Sequence, residues 1–185
     1  MDASTVIGRL HEHRAWTNRK LLAAAGKLTD EQLRRDLPIG QGCVWKSLLH
    51  LYAAEYVWLE TIQGDPTATC PGDAPGQLPG NQAGEGAIET LDQLNEKWNA
   101  LESRWTNHLD HLDSESLDMT VYRISTSSNG GKKRATSHGD ILLHVCTHAQ
   151  YTTAQVINML RQLGVAELPD PMLISLARSQ CVENM

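Results

Sequence analysis

Apolar residues recur at steps of three and four along four long stretches, the period of an α-helix with one buried face. The first stretch, 5–27, carries Val6, Ile7, Leu10, Leu21, Leu22 and Ala25, with Leu28 just beyond. Its middle turns are polar, with His13, Arg14, Thr17 and Asn18. Such a break reads as hydrogen bonding to a neighbouring helix, in preference to a cavity lining. The second stretch, 44–62, has Val44, Leu48, Leu51, Leu59 and Ile62 on one stripe and His50, Ala54, Val57 and Trp58 on another. The third, 87–112, has the clearest pattern: Ile88, Leu91, Leu94, Trp98, Leu101, Trp105, Leu109 and Leu112, opposed by Asp92, Glu96, Glu102 and Arg104. The fourth, 138–163, leaves almost no polar face, which predicts a buried helix.

The connecting segments carry their own signals. Thr29-Asp30-Glu31-Gln32 matches a capping box and opens a short helical turn that ends before Pro38. Residues 63–86 hold four prolines and six glycines, a loop long enough to be functional or to cross the length of a bundle. Met119–Ile124 and the stretch after Asn129-Gly130-Gly131 predict a hairpin around a glycine turn. Ser137-His138-Gly139-Asp140 reads as a capping box for the last long helix, which Gly164 stops before Pro169. A short helix near Met172–Cys181 follows. The expectation is an all-α fold: a four-helix bundle with a small β-hairpin before the last long helix, one domain over 1–185.

Charge and composition narrow the function classes. The 185 residues carry a net charge of -6, with a pI near 5.7. That argues against nucleic acid as a partner, since duplex binders show a basic footprint. The one basic run, Lys132-Lys133-Arg134, reads as a solvated loop or hairpin tip. No segment has the length of a membrane span, and the N-terminus lacks the pattern of a signal peptide, so a cytoplasmic protein is expected. Cys43, Cys70, Cys146 and Cys181 are widely spaced and read as free thiols. Phe is absent, so five Trp and the leucines must fill the core.

Candidate chemistry centres on His144 and His148. They stand one turn apart and therefore share a helix face. Buried imidazoles need partners, and a metal ion would serve both. Hydrogen bonds to polar neighbours would serve as well, and the residues leave both open. Two metal-site patterns are missing: no Glu-x-x-His occurs, and His11-Glu12 has Ala15 where a second His belongs. His50, mid-helix in an apolar setting, is the third candidate ligand. Cys146 lies about 200° from His144 and falls on the opposite face. His108 and His111 read as surface histidines.

Three stretches together resemble the DinB-like metal-binding four-helix bundles, a bacterial family that includes thiol-dependent transferases. They are Trp16–Leu22, Leu48–Leu59, and Gly139–Tyr151 with Gln155. Element order and the hairpin before the last helix agree over most of 5–165. The resemblance implies that His50, His144 and His148 hold one divalent transition metal, zinc or nickel ahead of iron, with coordination positions left open. It also implies a homodimer. Many relatives carry His-Arg-Gly-Gln where this chain has Thr152-Thr153-Ala154-Gln155, so an arginine able to hold an anion is missing there.

Two functions follow as expectations. One is a metal-dependent enzyme of the thiol-transferase or hydrolase type, acting on a small-molecule thiol or other small substrate. Glu55 and Asp140 are then the candidate catalytic or supporting carboxylates. Asp140, one turn before His144, either orients that ring or only caps the helix. The other is a non-catalytic, dimeric metal- or ligand-binding protein.

Overall fold

The computed structural model describes residues 2–124 and 131–182. Four long helices form the bundle: α1 (Ala3–Ala25), α3 (Val44–Ile62), α4 (Leu91–Leu109) and α6 (His138–Gln162). The accessory pieces are α2 (Asp30–Arg34), α5 (Ser114–Leu117), a hairpin of β1 (Thr120–Ile124) and β2 (Lys133–Ser137), and α7 (Leu173–Val182). The fold is the all-α bundle with a hairpin that the periodicity predicts. Asn129 and Gly130 of the expected glycine turn lie outside the described residues.

Helix α6 packs on both α1 and α3, and α4 closes against those same two helices. So α4 and α6 sit diagonally. Helix α4 buries Leu94, Trp98, Leu101 and Trp105, one residue per turn on a single stripe. It starts later than its apolar pattern, because Thr90 and Gln93 form a capping box there. Ile88 is buried as part of the preceding loop. The pattern reported burial, and the cap decided where the helix begins.

Helix α6 departs from its expected burial. Ile141, Leu142, Val145, Ala149, Val156 and Leu160 are buried, but Leu143 is 40% exposed and Tyr151 69%, with His144 and Thr147 exposed beside them. Two neighbouring helices cover two faces, and the third faces outward.

The polar break in α1 is filled by hydrogen bonds to other elements. Arg14, fully buried, pairs with Glu55 of α3 and with Glu102 of α4 at 2.9 Å. Asn18 donates to Glu55 at 2.8 Å and the Trp98 indole N–H does so at 3.0 Å. Burial opposes the charge on Arg14, but Glu55 and Glu102 prevail and raise its pKa. His13 reaches the Pro171 carbonyl at 2.7 Å, tying α1 to the segment before α7.

The loop between α3 and α4 is held by its own polar groups. The Asp73 carboxylate accepts from the backbone N–H of Gly80 at 2.7 Å and of Gln82 at 2.9 Å. Gly80 has φ +84, and a Cβ there would stand 2.5 Å from the His50 Cα. Only glycine lets the loop lie this close to α3. The hairpin is tied to the same region by Arg123, which donates to the Thr61 hydroxyl at 2.9 Å.

Candidate metal centre

His50 lies on the side of α3 that faces α6 and the loop. Its Nδ1 stands 2.8 Å from the Pro79 carbonyl oxygen. A carbonyl only accepts, so Nδ1 carries the hydrogen and Nε2 of the neutral ring is left with its lone pair. The close approach at Gly80 delivers that carbonyl, which gives the proline- and glycine-rich loop a role at the site.

His50 Nε2 is 3.2 Å from His148 Nε2 across the α3–α6 interface. The two rings meet edge to face, with centroids 5.1 Å apart. Burial lowers the His148 pKa to about 4, with the neighbouring His50 and His144 adding to the effect. This ring is therefore neutral, and able to ligate, at physiological pH. His144 has its ring centroid 5.8 Å from that of His148 and packs edge-on against Trp58 at 5.5 Å.

Two of the three predicted imidazoles thus meet nitrogen to nitrogen, and the third stands beside them at the exposed surface. Among the described residues no three His, Cys, Asp or Glu side chains close around one point. The spacing of the first two still fits a metal. Nitrogens bound at about 2.05 Å to a tetrahedral ion lie roughly 3.3 Å apart, against 3.2 Å here. A backbone carbonyl on the far ring nitrogen is also how proteins commonly orient a ligating histidine. A cleft of about 340 Å³ opens beside His50, lined in part by Lys46, Gln77 and Pro79.

The two candidate carboxylates lie elsewhere. Glu55 is about 140° round α3 from His50, buried among Arg14, Asn18 and Trp98. Asp140 is exposed, and its backbone N–H bonds the Ser137 cap at 3.1 Å. That places it in the capping turn, with no bond from its carboxylate to His144. Cys146 faces the Arg14 cluster as its helix position implies, and burial pushes its thiol up to about 12.

One pairing was not legible in the sequence. His108 is half-buried, and its Nε2 lies 2.9 Å from that of His138. A polar residue at the end of an amphipathic stripe gave no sign of this. Only the hairpin, which sets where α6 begins, carries His138 to it.

A helical bundle with a hairpin before its last long helix and histidines converging between two core helices defines a class. Comparison with known proteins identifies it: the model of the DinB family matches residues 1–178, and the chain belongs to that family. It is similar to Protein DinB of Bacillus subtilis (strain 168), with 25% identity over 161 residues, 87% of this chain and 88% of the relative.

Proposed function

We propose that the protein is a divalent-metal-binding DinB-like enzyme whose metal is held by His50, His144 and His148. The observation that carries this reading is the convergence of the His50 and His148 Nε2 atoms at 3.2 Å, with His50 pinned through Nδ1. His144, exposed and one turn before His148, completes the set by a change of rotamer, which costs little at a surface. Three neutral imidazoles leave the ion's charge uncompensated and positions open. Bound there, the ion supplies Lewis acidity that activates a thiol or a water.

The remaining roles fall to the chain's own residues. The Pro79 carbonyl orients His50, and Trp58 packs edge-on against His144. Lys46 on the cleft rim offers the cation that Thr152 and Thr153, both buried, do not. A small anionic thiol or a hydrolysable small substrate suits such a cleft, with residues 1–185 acting as one domain. Four free cysteines fit a reducing, cytoplasmic setting. No helix is long and apolar enough to cross a membrane among the described residues.

The exposed stripe of Leu143, Thr147 and Tyr151, one residue per turn of α6, supports pairing of two chains through this face. Light scattering should therefore give about twice 20.5 kDa.

The test of function is turnover of a thiol with an electrophile, and of an activated ester, by chelator-stripped protein with and without added Zn2+ or Ni2+. Metal-dependent turnover of either supports the enzyme. Metal binding without turnover of any substrate in a broad panel would leave the non-catalytic binding protein.

A further inference from the structure

Seven of the eight histidines fall into two groups. His50, His144 and His148 form one. His11, His108, His111 and His138 form the other, where α1, α4 and the start of α6 meet. His138 is the first residue of α6, about 100° round the helix from the His144–His148 face, so the two groups look in different directions.

Within the second group, His108 and His138 repeat the device seen at His50. The His138 Nδ1 lies 2.9 Å from the Ser116 carbonyl oxygen, so it carries the hydrogen and Nε2 is left with a lone pair. That lone pair faces His108 Nε2 at 2.9 Å. Two bare imidazole nitrogens at this distance repel, so either the neutral His108 ring carries its hydrogen on Nε2 and donates it to His138, or a metal ion is shared by both. Trp105 walls the site, with its ring 6.2 Å from His108 and 5.0 Å from His11.

We propose that His108 and His138 form a second metal site, separate from the His50 centre, for a divalent ion of the Cu2+ or Ni2+ kind. At metal–nitrogen bonds of about 2.05 Å, the 2.9 Å spacing subtends roughly 90°. That is the angle between neighbouring ligands in square-planar or octahedral coordination, which Cu2+ and Ni2+ favour. The carbonyl on His138 Nδ1 supplies the outer partner that fixes a ligating ring. His108 is half-buried, so water reaches the remaining positions.

The test is a Cu2+ titration of the chelator-stripped full chain, read by calorimetry and by nitrogen hyperfine structure in electron paramagnetic resonance. The chain lacking the first centre (His50→Ala, His144→Ala and His148→Ala together) should still bind one Cu2+, with two imidazole nitrogens in its spectrum. Adding His108→Ala, or His138→Gln in its place, should weaken that binding by more than the roughly 10–100-fold typical of losing an outer partner. His111→Ala should leave it intact, and circular dichroism checks that each variant folds. The proposal is overturned if the triple variant binds no Cu2+, or if His108→Ala and His138→Gln bind it as the triple variant does. Failure of the His50 centre alone looks different: the wild-type chain would bind one Cu2+, kept in the triple variant and lost with His108→Ala.

Discussion

At Arg14 the polar groups of the interior face one another; at His50 they face a cleft. The Arg14 cluster joins α1, α3 and α4, and Glu55 receives donors from three side chains. One arginine there faces two carboxylates, and burial raises the pKa of Glu55. The His50 cluster joins α3 and α6, and its ring nitrogens converge with no carboxylate among them. The first ties three helices together, and the second lies beside a cleft. Both use residues from different helices, but the first gathers donors onto one carboxylate, whereas the second sets two imidazole nitrogens against each other beside a cleft.

Breaking the closed cluster should have the largest effect. Glu55→Ala leaves Arg14 buried without its main counter-charge and should destabilise the protein by about 3–5 kcal/mol in urea unfolding. The double change Arg14→Met with Glu55→Leu should recover most of that, since a buried pair replaced by apolar groups is often neutral. Metal affinity should be unchanged in any variant that folds, which separates the two clusters.

Acid should act next. His11 is 1% exposed, and burial lowers its pKa to about 3, against an ordinary value near 6.5. Between those values the unfolded chain holds a proton that the folded chain does not. Its contribution is therefore complete above pH 6.5 and is lost as pH falls towards 3, by about 2 kcal/mol at pH 5. Urea midpoints of wild type and His11→Gln, compared at pH 7 and pH 5, should show a smaller acid loss in the variant.

Gly80→Ala sharpens the comparison on the open side. With φ +84 and His50 Cα in the way, the loop must shift, costing about 1–3 kcal/mol. The Pro79 carbonyl moves with it, so metal affinity should drop roughly 10–100-fold. Gly76→Ala has a similar φ of +78 but open space around it, and should leave affinity unchanged. The smallest effect is expected for Asp140→Asn. It removes a first-turn charge worth about 0.3–1 kcal/mol and should leave metal affinity as it was.

The bundle was legible because helix periodicity reports burial directly, and the ends of α3 and α6 fell where their apolar stripes stop. The polar break of α1 was also legible as bonding between helices, though not its partners, since three helices meet there. The exposed face of α6 was not, because a one-dimensional pattern does not say how many neighbours a helix has. The shared helix face of His144 and His148 was legible through their i,i+4 spacing. The Pro79 carbonyl and the His108–His138 pair did not, because each depends on where a loop or a hairpin returns the chain.

The central claim is that His50, His144 and His148 hold one ion. Its most direct test is the Zn2+ stoichiometry and affinity of chelator-stripped wild-type protein beside His50→Ala, measured by calorimetry at pH 7. The account predicts that the variant loses one equivalent while keeping its fold. Equal stoichiometry and equal affinity in the two proteins would contradict it.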